Sequence, residues 1–333
     1  DLCVGLSEKV DYEVTLLLTD PDDPQNSLRN MYDKKNVHFN IIQVSDKKHD
    51  VLKNNFRIYK IIQEIQPNFV HTHQITLIYC LLSFLLGNDF IKFHTVHNDS
   101  HKEFGSKIFR QFYHFLFIIF RINLISISQY IMKTSTEEYR LLPRRYHSLI
   151  YNGRTTSLKE NTVRDDNKFK IIMVGRLTDV KNHNAAIEMM NIICNDKYMK
   201  NIYLEIYGEG PLKNELDKKI IELELSDNVF LKGITSEITE KMQNSDIFLM
   251  TSRHEGFPLS AIEAMTAKLP MILSNFGSAK ELIENNGFIV EVDDYNKYAE
   301  IIIRLESDKK TLKTLSKNSA DLSERFALNK MID

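Results

Sequence analysis

Short apolar runs alternate with longer segments of helical periodicity along almost the whole chain. Phe69–His73, Phe169–Val174 and Ile202–Tyr207 are typical of the runs, and each is followed by a segment that reads as a helix. Strands that alternate with helices assemble into parallel sheets with right-handed crossovers. The sequence therefore predicts an α/β protein.

The chain is long enough for two such sheets, each with its own core. It has 333 residues, of which 43% are hydrophobic and 26% are charged, a composition typical of globular proteins. The polar, unpatterned stretch at residues 156–168 is the predicted linker. We expect an N-terminal domain over residues 1–155 and a C-terminal domain over residues 169–310, with residues 311–333 forming helices that cross back to the first domain.

The start of the chain predicts an incomplete first domain. Residues 1–6 are typical of the end of an amphipathic helix, and the next strand is predicted at residues 13–18. A helix that feeds a strand in this arrangement should itself follow a strand. We therefore expect the first β-α element of the N-terminal domain to be missing.

Charge and cysteine content limit the partners and the compartment. The net charge of −2 gives no general case for nucleic-acid binding, although nine of the eleven histidines lie in the first half. Cys3, Cys80 and Cys194 are odd in number and lack metal-ligand spacing. Because no signal peptide is recognisable either, these cysteines favour a reducing compartment, and we expect a cytoplasmic protein.

One strand, loop and helix together form a candidate anion site. The apolar run Ile247–Met250 is followed by a loop containing Gly256 and by Pro258, which we place at the first position of a helix. Main-chain N–H groups and the helix dipole favour an anion at such a helix start. The N–H groups that we expect to point there are those of Phe257, Leu259 and Ser260.

Two glutamates lie on either side of this predicted anion site. Glu255 lies in the loop and Glu263 lies inside the helix, so each can reach a different flank of a bound anion. A phosphate with hydroxyl-bearing groups on both flanks fits this arrangement, as in a nucleotide-sugar. The alternative is an ordinary α/β connection, with Glu255 solvated and Glu263 on the outer face of the helix.

Two cations follow the first strand of the predicted C-terminal domain. Arg176 and Lys181 flank the loop after Phe169–Val174, and in a single parallel sheet this loop emerges at the same edge as the Glu255 loop. Arginine offers a forked contact and lysine a point charge. The pair is therefore suited to hold a diphosphate without a divalent ion.

Two histidine pairs lie at predicted strand ends in the first half. His71 and His73 end one strand, and His94 and His97 follow the next. Their spacing would allow zinc chelation, but no acidic or cysteine ligand accompanies them in a known metal pattern, so we expect no metal site. They are then either hydrogen-bonded structural residues or residues that contact the substrate.

The segment Lys107–Ile122 is predicted to be an apolar helix with one polar stripe. Lys107, Arg110, Gln111 and His114 fall at positions i, i+3, i+4 and i+7. Its apolar run is too short to cross a membrane, which takes about 20 residues. The helix either lies on a membrane surface with its basic side chains toward anionic headgroups, or is a buried core helix with one exposed stripe.

Three motifs of the second half occur in one order along the chain. They are Gly175-Arg176-Leu177 with Lys181-Asn182, Gly208-Glu209-Gly210-Pro211, and Glu255-Gly256-Phe257-Pro258 with Glu263. In this combination the chain resembles the retaining glycosyltransferases of the GT-B fold, specifically glycosyltransferase family 4, the glycosyl transferases group 1. The spacing Glu-x7-Glu is that family's signature. The match covers residues 169–292, with a looser match at His94–Asn98 and at residues 151–153.

The resemblance implies a fold and a set of donor contacts. Such enzymes have two Rossmann-like domains whose parallel sheets face each other across a cleft that holds the active site. Arg176 and Lys181 would bind the donor diphosphate, and Glu263 would bind the ribose hydroxyls. The other residues that the resemblance assigns to the donor are Gly208, Leu231, Gly256, Phe257 and Leu259, with the main chain near Leu231 meeting the base.

Two residues are implied to be catalytic. Glu255, with the main chain of the loop that follows it, would hold the transferred sugar, and His97 would lie beside that sugar from the opposite domain. The family's opening strand and glycine-rich loop, which help to receive donor phosphate and acceptor, are absent from this sequence.

The implied activity is transfer of a hexose from a nucleotide-diphosphate sugar to a glycan or lipid-linked acceptor, with retention of configuration, in cell-surface polysaccharide synthesis. The resemblance implies no metal, no cofactor besides the donor substrate, and a peripheral contact with the inner face of the plasma membrane through Lys107–Ile122. Two alternatives stay open. One is a sugar-nucleotide epimerase of the same architecture, and the other is a non-catalytic subunit that binds a nucleotide-sugar.

Overall fold

The structure is a computed structural model that describes residues 2–7, 13–18, 37–41, 51–86, 89–103, 106–154, 168–195 and 201–333. Its contacts divide the chain into two compact units. The first unit comprises Asp1–Asn152 and Leu328–Asp333, and the second comprises Gly153–Ala327. All of the predicted linker except Lys168 lies outside the described residues.

Strands and helices alternate through the described residues, as the sequence predicts. The strands are β1 (Val14–Leu18), β2 (Val37–Ile41), β3 (Phe69–His73), β4 (Ile91–Val96), β5 (Asn123–Ser126), β6 (His147–Leu149), β7 (Phe169–Val174), β8 (Ile202–Tyr207), β9 (Val229–Gly233), β10 (Ile247–Met250), β11 (Met271–Ser274) and β12 (Gly287–Val290). The helices are α1 (Leu2–Ser7), α2 (Val51–Ile65), α3 (Leu81–Leu85), α4 (Lys107–Ile119), α5 (Gln129–Glu138), α6 (His183–Asn195), α7 (Lys213–Glu222), α8 (Ile238–Gln243), α9 (Leu259–Thr266), α10 (Ala279–Leu282), α11 (Tyr295–Ser307), α12 (Lys309–Ser323) and α13 (Leu328–Ile332).

The first unit contains a parallel sheet with the strand order β3-β4-β5-β6, and β1 and β2 form a separate parallel pair. Strand β4 pairs with β5 from Phe93 to Val96, so His94 lies within the strand. The prediction that His94 follows the strand was therefore wrong. Strand β6 was not predicted, because its residues His147–Leu149 form no apolar run and only their pairing with β5 defines them.

The second unit contains one parallel sheet of six strands in the order β12-β11-β10-β7-β8-β9. This is the order of a doubly wound Rossmann sheet, and the strand order reverses between β7 and β10. Side chains such as Ile171, Leu204 and Leu249 alternate onto one face and pack in a common core with Ile187 of α6 and Ile302 of α11. The predicted α/β fold with two parallel sheets is confirmed.

The chain returns to the first unit later than predicted. Helix α12 belongs to the second unit, where the hydroxyl of Ser319 donates a hydrogen bond of 2.6 Å to the carbonyl oxygen of Leu269. Only Leu328–Asp333 groups with the first unit. The segment that groups with the first unit is therefore shorter than the predicted crossing helices of residues 311–333.

Candidate functional site

Two loops leave the second sheet where its strand order reverses, which is where open α/β sheets bind ligands. One loop follows β7 and the other follows β10. The hydroxyl of Thr251 donates to the carbonyl oxygen of Asn182 at 2.8 Å, and the N–H of Arg253 donates to the carbonyl oxygen of Val180 at 2.8 Å. These bonds fix the two loops to each other, so side chains on them keep a defined separation.

Lys181 and Glu255 meet at this point. The Lys181 ammonium donates to Glu255 Oε1 at 2.6 Å, and the two side chains are 22% and 13% exposed. An ammonium has three donors, so it can hold Glu255 and a bound anion together. Burial, with a smaller contribution from Lys181, lowers the pKa of His183 to about 4, so that neighbouring ring is neutral at pH 7. The sequence predicted that these two loops share an edge.

Helix α9 begins beside this ion pair. Pro258 is its N-cap residue and Leu259 its first helical residue, so the prediction of Pro258 at the first helical position was wrong by one residue. No side chain caps this helix start. Gly256 and Pro258 are buried and Leu259 is 39% exposed. The helix start therefore presents main-chain N–H groups and the positive end of the dipole at the same edge as Lys181.

Glu263 lies in the middle of α9 and is buried, with 7% of its surface exposed. The alternative that placed it on the outer, solvated face of the helix was therefore wrong. Arg154 Nε lies 2.6 Å from Glu263 Oε1. No sequence signal identified Arg154, because it follows the motif at residues 151–153 and belongs to no periodic segment.

The remaining predicted donor residues lie in the strands of the same sheet or in the loops that follow them. Arg176 is exposed, and its guanidinium makes no ion pair with another described residue. The N–H of Gly208 donates to the carbonyl oxygen of Gly233 at 2.9 Å, which joins the ends of β8 and β9. Leu231 lies inside β9, and its side chain packs against the core. Phe257 is buried against the Phe326 ring, at 5.1 Å between centroids.

A polar brace that the sequence did not predict supports the loops. Arg253 donates to Asp293 Oδ2 at 2.9 Å, and Asn182 Nδ2 donates to Asp293 Oδ1 at 3.2 Å. The hydrogen bonds from Arg253 lower the pKa of Asp293. Asn182 adopts a left-handed conformation with φ of 51° directly after Lys181. The brace therefore holds the backbone at the end of the β7 loop, next to the lysine.

The four predicted histidines form a cluster in the first unit. His73 Nδ1 and His97 Nε2 are 2.9 Å apart, and the rings of His71 and His73 stack at 4.4 Å. The hydroxyl of Thr72 lies 2.9 Å from His94 Nδ1. Burial lowers the pKa of His71 to about 4 and that of His73 to about 3, with further lowering by neighbouring rings. Within the described part of the chain no group of three or more histidine, cysteine or acidic side chains is placed to hold a metal ion.

Glu103 is a buried carboxyl beside this cluster that the sequence did not predict. Its Oε1 accepts a hydrogen bond from the main-chain N–H of His97 at 3.3 Å. Burial raises the pKa of Glu103 to about 8, and the His97 hydrogen bond only partly opposes that shift. The carboxyl is therefore mostly neutral at pH 7 and ties down the loop that carries His97.

Glu103 is expected to make the protein less stable as pH rises from 6.5 to 8. The pKa of Glu103 is higher in the folded protein, at about 8, than its ordinary value of 4.5 in the unfolded chain. Its contribution to the free energy of unfolding is therefore complete below pH 4.5 and is lost as pH rises through about 8. The buried His71 and His73 have lowered pKa values, so they reduce the stability of the protein only as pH falls below about 6.5. Within its titration window, one such group changes the free energy of unfolding by about 1.4 kcal/mol per pH unit.

Thermal unfolding of the wild type and Glu103→Gln at pH 6.5 and pH 8.0 measures this effect. The wild-type midpoint is expected to fall between the two pH values, and the Glu103→Gln midpoint to change less. Glu137→Gln, at an exposed neighbouring glutamate, is the matched control and should behave as the wild type does. An equal change in the wild type and Glu103→Gln would contradict the assignment.

The structure contradicts one of the two sequence-based expectations for helix α4. Arg110 of the predicted polar stripe is half-buried, and its Nε lies 3.1 Å from Glu138 Oε1. The buried face of α4 is formed by Tyr113, Leu116 and Phe117. Lys107 and Gln111 of the stripe are exposed. Six large apolar side chains are exposed as well, namely Ile108, Phe109, Phe112, Phe115, Ile118 and Ile119. The alternative of a core helix with one exposed polar stripe was therefore wrong.

Comparison with known proteins identifies the family. The family model for glycosyl transferases group 1 matches residues 155–321, and a model described as glycosyl transferase 4-like matches residues 2–134. The chain is 27% identical over 301 residues to an Escherichia coli UDP-Gal:alpha-D-GlcNAc-diphosphoundecaprenol alpha-1,3-galactosyltransferase, covering 85% of this chain and 77% of that one. It is 29% identical over 180 residues to the poly(glycerol-phosphate) alpha-glucosyltransferase of Bacillus subtilis, covering 50% of this chain but only 26% of that one.

Solved structures share the fold. Anabaena Alr3699/HepE in complex with UDP aligns with a TM-score of 0.80 at 17% identity, covering 99% of this chain and 92% of that chain. A glycosyltransferase from Rickettsia africae aligns with a TM-score of 0.76 at 19% identity, covering 96% of this chain and 87% of that chain. These alignments and the two parallel-sheet units confirm the predicted GT-B fold. The chain belongs to the glycosyl transferases group 1 family of glycosyltransferases.

Proposed function

We propose that this chain is a retaining hexosyltransferase that moves a sugar from a nucleotide-diphosphate sugar to a glycan or lipid-linked acceptor in polysaccharide synthesis. The observation that carries the proposal is the Lys181–Glu255 ion pair of 2.6 Å, where the strand order of the second sheet reverses. A cation, a carboxylate and a helix start meet there. This combination suits a group that has a phosphate at one end and a sugar at the other.

In this proposal the departing diphosphate receives charge from Lys181 and Arg176. Negative charge develops on that group as the sugar leaves, so fixed cations and the α9 dipole lower the barrier without a divalent ion. Glu255 accepts hydrogen bonds from sugar hydroxyls, and Glu263 accepts them from the ribose. Anabaena Alr3699/HepE has been crystallised in complex with UDP and with UDP-glucose, which supports a nucleotide-sugar donor.

His97 is proposed to contact the donor sugar, following the family resemblance. Its Nε2 lies 2.9 Å from His73 Nδ1, and its main-chain N–H is held by Glu103. The first contact restricts the orientation of the ring, and the second fixes the backbone that carries it. Burial lowers the pKa of His97, which favours a neutral imidazole that can accept or donate one hydrogen bond to a hydroxyl.

The acceptor class is proposed from the relatives. The Escherichia coli relative is named for a diphosphoundecaprenol-linked acceptor, and the Bacillus subtilis and Staphylococcus aureus relatives are named for poly(glycerol-phosphate) and poly(ribitol-phosphate). These names describe lipid-linked or polymeric acceptors. We therefore propose an acceptor of this class for the present chain.

A thermal-shift panel with UDP, GDP, ADP and CMP tests the donor site, because a ligand that binds only the folded state raises the midpoint. Selective stabilisation by one diphosphate, unchanged by EDTA, is the expected result. The matching nucleotide-sugar is then incubated with acceptor, and proton NMR reports the product. A transferred sugar with the donor's anomeric configuration supports the proposal. An epimerised donor supports the epimerase, and nucleotide binding without product supports a non-catalytic subunit.

We also propose that α4 rests on an anionic membrane surface. Five side chains of its exposed face, those of Ile108, Phe109, Phe112, Phe115 and Ile119, are between 42% and 79% exposed. The neighbouring segment, joined to α4 by the Tyr139–Phe117 ring contact at 4.9 Å, carries the exposed basic residues Arg140, Arg144 and Arg145. No helix of the described ranges is long and apolar enough to cross a membrane. Apolar insertion flanked by arginines favours a surface that contains anionic lipid.

Cosedimentation with vesicles measures this contact. The wild type is expected to bind vesicles containing anionic phosphatidylglycerol and to bind much less to neutral phosphatidylcholine vesicles. Phe112→Ser with Phe115→Ser should weaken binding about tenfold, because two large apolar groups no longer insert. Ile221→Ser, which alters a 68% exposed residue of α7 in the second unit, is the matched control. If the double variant bound the vesicles as strongly as the wild type does, α4 would be ruled out as the membrane contact.

A further inference from the structure

Arg154 is the ionic partner of the residue proposed to recognise the ribose. Its Nε lies 2.6 Å from Glu263 Oε1, while Glu263 is 10% and Arg154 35% exposed at the side chain. Charged groups with this little exposure interact more strongly than surface pairs, because less water screens them. The direction of the Glu263 carboxylate is therefore set by Arg154.

The main chain of Arg154 is itself anchored. Its N–H donates to the carbonyl oxygen of Phe326 at 3.2 Å, and Arg154 forms an isolated parallel bridge with Ala327. Phe326 is 1% exposed and packs edge-on against Phe257 in the loop before α9. Arg154 is thus held by the same residues that pack beneath the start of α9, and it is pre-positioned with respect to Glu263.

The Glu263 carboxylate has more acceptor positions than one arginine nitrogen uses. A carboxylate offers about four acceptor positions on two oxygens. Arg154 contacts Oε1 through its Nε, and this single contact uses only one of those positions. An arginine that contacts one oxygen orients the other, because the carboxylate is planar and rigid. A vicinal pair of ribose hydroxyls is a donor group of suitable size for the acceptor positions that Arg154 Nε does not use.

We infer that Arg154 is a positioning residue that aims Glu263 at the ribose hydroxyls of the donor and so sets the preference for a ribonucleotide. The inference rests on the proposed function, since it assumes a nucleotide donor in the second unit. Arg154 acts through Glu263 and touches no reacting atom. Loss of Arg154 would leave a buried carboxylate without its cation, and such a carboxylate would reorient toward water or another donor.

Calorimetric titration with UDP, ADP and GDP, each compared with its 2′,3′-dideoxy counterpart, tests the inference. The wild type is expected to bind its preferred ribonucleotide about tenfold or more tightly than the dideoxy form, as is typical of hydrogen bonds to a charged group. In Arg154→Ala the ratio should fall to about twofold, close to that of Glu263→Gln. Arg154→Lys should restore part of it, because a lysine supplies the charge without the guanidinium geometry.

Arg304→Ala is the matched control, since that guanidinium lies over the Phe288 ring on another part of the second unit. It should keep the wild-type ratio, and the melting midpoint of each variant without ligand shows whether it is folded. An Arg154→Ala variant that is folded and keeps the wild-type ratio would overturn the inference alone. A wild type that binds none of the three ribonucleotides would overturn both this inference and the proposed function.

Discussion

Replacing Lys181 with alanine is expected to lower kcat/KM for sugar transfer about a thousandfold, the upper range for loss of one preorganised group that stabilises developing charge. The variant loses a cation at the proposed diphosphate position. It also leaves Glu255, whose side chain is 13% exposed, without its ion-pair partner at 2.6 Å. Initial rates of transfer at varied donor concentration measure both effects.

Lys219→Ala is the matched control for this prediction. Lys219 pairs with Glu188 at 2.7 Å and is 26% exposed, close to the 22% of Lys181, but this pair joins helices α6 and α7 away from the loops after β7 and β10. Its removal should leave kcat/KM within about threefold of the wild type, because surface ion pairs contribute about 0 to 1 kcal/mol. A Lys181→Ala enzyme as active as Lys219→Ala would contradict the proposed donor site.

Glu255 and Lys181 are expected to act as one unit. Glu255→Gln should itself reduce transfer strongly, because the amide neither balances the lysine charge nor accepts as well from sugar hydroxyls. The double variant should then lose less than the product of the two single losses, as residues in contact are not additive. Full additivity in a double-mutant cycle would indicate that the ion pair has no joint role in transfer.

That the loops carrying Lys181 and Glu255 lie at one edge of the sheet was predictable from sequence, although these two residues are 74 residues apart. Each follows an apolar strand, and parallel strands of one sheet place their carboxyl ends at one edge. The order of strands was not predictable in the same way. The reversal between β7 and β10, which brings these two loops next to each other, depends on pairing choices that are visible only in the folded sheet.

The partners of the buried carboxyls were not predictable. Arg154 reaches Glu263 because its backbone pairs with Ala327, and no local pattern records a contact between residues this far apart. Glu103 lies in a polar segment that reads as a loop, and only burial beside the His97 main chain distinguishes it. Such contacts follow from tertiary packing, so periodicity and motif spacing do not report them.

Helix α4 shows why helical periodicity did not predict which face of a helix is exposed. Most of its residues are apolar, so the polar stripe is the only contrast that a helical wheel offers. The natural assumption is that a polar stripe faces water. Here Arg110 of the stripe is half-buried and pairs with Glu138 of α5. Three phenylalanines of α4, Phe109, Phe112 and Phe115, are exposed instead. A neighbouring helix supplied the counter-charge that the sequence of α4 alone does not contain.

Gly208→Ala is expected to destabilise the second unit by about 3 to 5 kcal/mol, the sum of backbone strain and overpacking. Gly208 has a φ of 148°, and a Cβ atom there would lie 2.0 Å from the carbonyl oxygen of Gly175. Neither backbone can move far, because Gly208 also donates to Gly233 at 2.9 Å. The melting midpoint should fall by about 10 °C for a unit of this size.

Gly175→Ala separates this structural role from donor binding. The three heavy atoms nearest to a Cβ atom at Gly175 all belong to the flexible Lys181 side chain, the closest being Cδ at 3.2 Å, and Gly175 does not have a positive φ. The free energy of unfolding of the variant should therefore stay within about 1 kcal/mol of the wild-type value. Its rate of sugar transfer should fall, because the Lys181 side chain is displaced. Comparing unfolding midpoints and transfer rates for the two variants tests both statements. Equal midpoints for Gly208→Ala and the wild type would show that the loops after β7 and β8 do not pack as closely as described, and the positions assigned to Lys181 and Arg176 would then need revision.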